Sequence, residues 1–425
     1  MKKKYIENGI LMAGGINVLS LVKKYGSPLY VYDLEIIREQ YQALKNAIPE
    51  KVRIFYAIKA NPNPNICSFI RSLGARAEIA SSGELYIALK SGFLGKDIIY
   101  NGPGKTDDDI KYAINNDVYV INVESLDELR RIDLIAQNKN KIVKVCIRIN
   151  PIRTITQVKM QTGGGSQKFG TDEEDIETII TAALKFDWID LQGIHIYVGS
   201  QILEPDILLG NIENTLKVAF NIAEKFGLPL KCINFGGGLG VPYNESEPEF
   251  DVEKFGKGLS ALISKVDKKY DNIRFVLEPG RFIVSEAGMF LTKVISVKES
   301  RGKKYAIVDG GINHAFLPIR MNKKYPTVIA NKMAQTENAK KSNFIIGGPL
   351  CTSMDVFTNE VELPLVEIND IICIFNSGAY GFSASMLHFL SAPMPAEVIV
   401  ENGKSFIARQ RGKKEDFLLN CEIVV

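Results

Sequence analysis

From about residue 50 to residue 280 the chain alternates short β-branched or aromatic runs with longer stretches of helical period. The runs Arg53–Ile58, Ala77–Ala80, Asp97–Tyr100, Val118–Val123, Val143–Ile149, Leu191–Tyr197, Cys232–Phe235 and Arg274–Leu277 have the length and residue types of strands. Between them, Asn65–Leu73, Gly83–Ser91, Asp107–Asn115, Ser125–Gln137, Glu173–Ala183, Asp206–Phe226 and Asp251–Lys268 repeat apolar residues at helical spacing. Eight strands, each but the last followed by a helix, predict an α/β fold of the (β/α)8 TIM-barrel type. A doubly wound open sheet competes, but no Gly-x-Gly-x-x-Gly follows the first strand.

After Gly280 the period changes. Gly288–Val297, Lys304–Asp309, Ser342–Ile346, Asp370–Phe375, Glu397–Val400 and Ser405–Arg409 are short alternating runs separated by turn residues, so a C-terminal antiparallel β domain is expected. Tyr5–Leu11 and Pro28–Tyr32 also read as strand, with helix beginning near Leu34. The economical division is residues 1–33 as N-terminal strands joining the β domain, 34–280 as the barrel, and 281–425 as the β domain proper, an antiparallel barrel or sandwich.

Composition narrows the function classes. Fifty-two basic against 49 acidic residues leave a slight positive excess, and the basic runs are as short as Lys2-Lys3-Lys4, which argues against a nucleic-acid or membrane-surface partner. No apolar stretch reaches the length of a membrane span, and Glu7 and Asn8 interrupt any signal-like core, so a cytoplasmic address is expected. The six cysteines are scattered without a Cys-x-x-Cys pair and predict neither disulfides nor a zinc site. Five read as small core residues, with Cys351 set apart; three distant histidines make a metal centre unexpected.

In such barrels chemistry sits on the loops that follow the strands. Here the first strand exits into Ile58-Lys59-Ala60-Asn61, the sixth into Tyr197-Val198-Gly199-Ser200, the seventh into Gly236-Gly237-Gly238, and the eighth into Glu278-Pro279-Gly280-Arg281. Lys59 follows an apolar run, where partial desolvation would free a neutral amine to attack an aldehyde. A snorkelling surface lysine is the commoner use of that residue. Consecutive glycines let several backbone N–H groups converge on one anion, and the loops after the seventh and eighth strands often hold a phosphate. Arg281 would add a charge-assisted contact; a pair of ordinary tight turns is the plainer alternative. Read as Gly-Gly-Gly-Leu-Gly, the stretch hints at dinucleotide binding, but it follows the seventh strand and lacks the acidic partner. Glu278 beside a pyridine nitrogen would keep that nitrogen protonated and the ring a good electron sink; alone it could equally pair with Arg281 or cap a helix. Lysine, glycine turns and carboxylate on one rim together imply pyridoxal 5'-phosphate.

The ordered stretches Phe55-Tyr56-Ala57-Ile58-Lys59-Ala60-Asn61, Glu78-Ile79-Ala80-Ser81-Ser82-Gly83-Glu84-Leu85, Gly102-Pro103-Gly104-Lys105, His195-Ile196-Tyr197-Val198-Gly199-Ser200, Gly236-Gly237-Gly238, Glu278-Pro279-Gly280-Arg281, Cys351-Thr352-Ser353-Met354-Asp355 and Gly378-Ala379-Tyr380-Gly381 run through nearly the whole chain. With them the chain resembles the barrel-fold, alanine-racemase-like decarboxylases related to diaminopimelate and ornithine decarboxylase. The resemblance implies a lyase of amino-acid metabolism in which Lys59 is the Schiff-base lysine. Ser200, Gly237, Gly238, Gly280, Arg281 and Tyr380 would surround the phosphate, and Glu278 would face the pyridine nitrogen. Cys351 would reach across a homodimer interface to protonate the α-carbon in the other subunit's site; a buried inert thiol is the alternative. Asp355 would meet the distal group of substrates that carry an amine there.

Three departures bear on the substrate. In diaminopimelate decarboxylases a substrate-binding Glu follows the cysteine, where this chain has Thr352. Their Arg-Pro-x-Leu-Tyr run after Asp309-Gly310-Gly311 is replaced by Ile312–Arg320, and the histidine against the ring by Tyr197, which can stack but carries no imidazolium. These differences are similar to the branch that decarboxylates amino acids already attached to something else: the glutamyl-carrier-protein decarboxylase of an aminoglycoside pathway and siderophore enzymes acting on citrate-linked amino acids. The likeness extends to the stretch Arg320–Pro326, so Arg320, Thr352, Asp355 and Tyr380 are the expected substrate contacts. The Gly- and Gln-rich loop Thr156–Phe169 is either a lid or an ordinary surface loop. Free diaminopimelate decarboxylation, amino-acid racemisation and a non-catalytic homologue are the rival functions.

Overall fold

The computed structural model describes residues 5–7, 9–152, 160–161, 163–244, 246–320, 325–335 and 339–424. The chain divides into two compact units: Gln40–Val241 with Glu249–Phe282, and Met1–Glu39 with Pro242–Pro248 and Ile283–Val425. In the first unit eight strands, Val52–Ala57, Arg76–Ile79, Ile98–Tyr100, Val120–Val123, Val143–Asn150, Ile189–His195, Cys232–Asn234 and Arg274–Leu277, pair in parallel. The eighth pairs with the first and the fourth with the fifth, so the sheet closes into the expected TIM barrel. Its centre is a dry layer of Phe55, Ile99, Val120, Cys146, Cys232 and Val276, one side chain from each of six strands.

Capping residues begin the helices that follow the strands. Ser81, Thr106, Ser125 and Asp251 each accept a backbone N–H from three residues on, satisfying a donor that the first helical turn leaves free. Two features depart from the sequence pattern. The sixth strand ends at His195, so Tyr197 lies beyond it, and Thr171–Asp172 forms a short extra strand beside the fifth.

The second unit holds a mixed sheet. Its main path runs Val356–Leu363, Ser342–Gly347, Lys303–Val308, Gly288–Ser300, Leu29–Asp33, Ala396–Glu401, Lys404–Arg409, with Ile371–Ile374 also pairing with Gly288–Ser300. The N-terminal strand Leu29–Asp33 is thus taken into the sheet, as the sequence pattern predicts. The sheet is not purely antiparallel: Lys303–Val308 runs parallel to Ser342–Gly347, and Leu29–Asp33 parallel to Ala396–Glu401. Long connections between those partners permit the parallel pairing. Four cysteines are buried, but Cys421 is exposed near the C-terminus rather than in the core, as is Cys351.

Gly193 marks a close backbone approach within the sixth barrel strand. Its φ is +154°, and a Cβ there would stand 1.9 Å from the Cys232 carbonyl oxygen, where the strand register shifts. Gly193→Ala should therefore lower stability by about 3 kcal/mol. Urea unfolding followed by far-UV circular dichroism checks this; an unchanged midpoint would show that the wall can relax.

Candidate active site

Polar residues gather at the carboxyl ends of the barrel strands, where the strand sequences are otherwise apolar. Glu78, fully buried near the end of the second strand, accepts from Lys59 Nζ at 2.5 Å and from Asn101 Nδ2 at 2.8 Å. The same Asn101 amide reaches both oxygens of Glu278 at 3.1 Å, and Asn234 Nδ2 donates to Glu278 Oε1 at 2.7 Å. Asn122 in turn donates to Asn101 Oδ1, which fixes the Asn101 amide with its NH2 toward the two acids. Burial, then the charge of Glu78, push the Glu278 carboxyl up to about 7, against the opposing pull of Lys59, Asn234 and Asn101. Lys59 is partly covered, its side chain 38% exposed, and it is held by an ion pair with Glu78.

Around this layer the glycine turns are locked to their neighbours. Gly236 and Gly238 have φ of +66° and +112°. A Cβ on Gly237 would meet the Glu278 carbonyl oxygen at 2.3 Å, and one on Gly238 the Gly199 oxygen at 2.7 Å. A Cβ on Gly280 would meet the Ala60 methyl at 2.9 Å, and Ala57 N donates to Pro279 O at 3.1 Å. The loops after the first, sixth, seventh and eighth strands are therefore contiguous. They bring together Lys59, Tyr197, Ser200, Gly237, Gly238, Glu278 and Gly280, with Arg281 buried at the start of the short helix Arg281–Val284. Met160–Gln161 pairs antiparallel with Gly199–Ser200, which seats part of the 156–169 loop on the same rim; residues 156–159 and 162 of that loop lie outside the described residues.

The remaining predicted residues belong to the β unit. Cys351 is exposed on a loop, and Thr352 is half-buried beside it. Asp355 is buried, with one oxygen accepting from Ile312 N and the other from Leu350 N, each at 2.7 Å. Tyr380 adopts φ +55°, an uncommon conformation for an aromatic residue, in a turn whose Gly378 N donates to Ser285 O. Arg320 ends the short helix Leu317–Arg320, and its side chain lies outside the described residues.

Residues 34–285 match the family described as the pyridoxal-dependent decarboxylase, pyridoxal binding domain. The chain belongs to the pyridoxal-dependent decarboxylases. It is 32% identical over 406 residues to the L-glutamyl-(BtrI acyl-carrier protein) decarboxylase of Niallia circulans, covering 94% of this chain and 95% of that one. It is 34% identical over 410 residues to the diaminopimelate decarboxylase of Aquifex aeolicus, covering 96% and 95%. Among solved structures it is similar to the diaminopimelate decarboxylase of M. jannaschii in co-complex with L-lysine, with a TM-score of 0.92, 30% identity and coverage of 99% and 97%. The activity is that of a pyridoxal-phosphate-dependent carboxy-lyase, and the rim fits the cofactor: an amine for the aldehyde, side-chain-free backbone for the phosphate and a buried acid for the ring nitrogen.

Sequence reasoning assigned no role to Glu78, Asn101, Asn122, Asn234 or His195. The available signal was position: each is a polar residue within or one step beyond an apolar barrel strand, near its carboxyl end. If Lys59 is the anchoring amine, Lys59→Ala should lose the borohydride-reducible yellow chromophore completely after incubation with pyridoxal phosphate. Absorbance before and after reduction reads this directly, and a retained reducible band would remove Lys59 from that role.

Proposed function

We propose that this decarboxylase removes the α-carboxylate of an amino acid held in a larger conjugate, carrier-linked or amide-linked, as a cytoplasmic homodimer. The observation that carries the substrate reading is that the cysteine loop offers no exposed carboxylate. Thr352 stands beside Cys351, and both oxygens of Asp355 are bonded to backbone amides of Ile312 and Leu350. A free distal ammonium would find no exposed carboxylate on this loop, because Asp355 is buried, and would forgo the charge-assisted hydrogen bond that an acid at position 352 could give. An amide- or thioester-linked substrate has no such charge to satisfy. The similarity to a decarboxylase of a carrier-linked glutamyl group supports this reading; the similarity to diaminopimelate decarboxylases supports the alternative of a free diamino acid.

The roles follow from the chemistry of the groups. Lys59 Nζ holds the cofactor, with Glu78 orienting the amine. Gly237, Gly238, Gly280, Ser200 and Arg281 hold its phosphate, joined by Tyr380, and Tyr197 stacks against its ring. When bound, pyridoxal phosphate supplies the electron sink for the pair left by the departing carboxylate. Glu278 keeps a proton at the ring nitrogen by pairing with it as a carboxylate. Asp355 braces the loop that presents Cys351, and the exposed thiol, as Cys351 of the partner subunit, delivers the proton to the substrate α-carbon. Arg320 and Thr352 contact the substrate's far end.

Carbon dioxide release from the reconstituted enzyme discriminates among substrates. An amino acid linked to a carrier protein or to citrate should exceed free diaminopimelate by at least about tenfold in kcat/KM. Faster turnover of diaminopimelate would establish the alternative, and racemisation without gas would exclude both. Independently, Cys351→Ala should keep the cofactor chromophore and lose the amine product or divert it to side products. Full amine formation by that variant would take the proton transfer away from Cys351.

A further inference from the structure

His195 lies at the end of the sixth strand with 1% of its surface exposed, and neither ring nitrogen has a hydrogen-bond partner among the described residues. Leaving both nitrogens of a buried imidazole unbonded is costly, so the residue calls for a function or a transient partner. Its Nε2 stands 3.7 Å from Glu278 Oε2, less than an ångström beyond bonding distance. The strand pairing fixes that placement, because His195 lies in register with Asn234 on one side and Arg148 on the other. Asn234 and Asn101 already donate to the same carboxylate, so His195 would complete a cluster of three side-chain donors around Glu278.

We propose that His195 is a positioning residue for Glu278: its neutral imidazole, protonated on Nε2, donates to Glu278 Oε2 and so favours the carboxylate form that pairs with the cofactor's ring nitrogen. The charged groups around the imidazole are Glu278, Arg148, Lys59 and Lys105, with Glu78 beside Glu278. Arg148 is itself paired with Glu124 at 2.8 Å and Lys105 with Glu128 at 2.6 Å, both in the interior. Burial first, then the cations Arg148, Lys59 and Lys105, hold His195 well below the ordinary histidine range, so the ring stays neutral at physiological pH. A neutral imidazole carries one N–H, and placing it on Nε2 leaves the donor facing the carboxylate. The sign of the effect is then fixed: a donor to the charged form opposes the burial and the Glu78 charge that raise Glu278 to about 7. This inference does not depend on which amino-acid derivative the enzyme accepts.

Two measurements on the full chain test it. The chain has only three histidines, so a ring-15N-histidine spectrum of the unsubstituted protein is simple to assign. His195 should remain neutral with its proton on Nε2 from about pH 6 to about pH 9; an imidazolium, or a proton on Nδ1, would overturn the proposal. In the second, the infrared band of the protonated Glu278 carboxyl is isolated by subtracting the spectrum of Glu278→Gln and followed against pH. His195→Leu, which removes the donor, should raise the midpoint by about one pH unit or more, and His195→Gln, which restores an N–H, should return it toward the original. A midpoint unmoved by His195→Leu, or moved equally by both variants, would mean that His195 serves packing alone. If His195→Leu does not fold, the tautomer measurement on the unsubstituted chain still decides the matter.

Discussion

Two carboxylates, Glu78 and Glu278, are buried in one layer of the barrel, close enough for a single amide, Asn101 Nδ2, to bond both. Two such anions cannot both keep their charge out of water without compensation. Lys59 supplies a cation to one of them, and the other drifts toward neutrality. Asn101, Asn122 and Asn234 then act as fixed dipoles that set how far the drift goes. A site built this way holds an acid poised near neutral pH, and a basic ring nitrogen arriving beside it would complete the charge balance. The charge arithmetic of the barrel interior thus pairs one acid with a cation and leaves the other raised.

The same layer depends on the glycine turns. Gly237 leaves room for the Glu278 carbonyl and Gly280 for Ala60, so the loop that carries the acid and the loop that follows the amine pack directly on neighbouring backbone. Any side chain at these positions would separate the loops. The close backbone approaches follow from one requirement, that four successive strand exits touch.

The barrel was legible in the sequence because its signal is periodic: eight apolar runs and the helices between them survive small errors in boundary. The N-terminal strand of the β unit was legible too, since Leu29–Asp33 is uniformly apolar apart from its last residue. The parallel pairings of that sheet were not, because alternation along a strand says nothing about the direction of its neighbour. At the site, Lys59, Glu278 and the glycines announced themselves by chemistry and spacing. Glu78, Asn101, Asn122 and Asn234 stayed hidden because they are scattered single residues whose roles exist only once strands two, three, four and seven meet. The ion pair of Lys59 was hidden for a related reason. An apolar run before a lysine describes its strand, whereas the lysine's own surroundings are set by an acid nineteen residues away.

Residue types at the chemical core and at the cysteine loop answer to different constraints. Glu278 and Lys59 are held by partners that a small change would leave unpaired in the interior, at a cost of several kcal/mol. Among the described residues Thr352 has no comparable obligation: it is half-buried, and its hydroxyl accepts only a 3.4 Å contact from Met354 N. Asp355 is the exception on that loop, because two backbone amides would lose their acceptor with it. Substitution is therefore cheap at Thr352 and expensive at Asp355, Glu278 and Lys59. On physical grounds alone, the side chain at position 352 can change while the buried charge layer of the barrel stays intact.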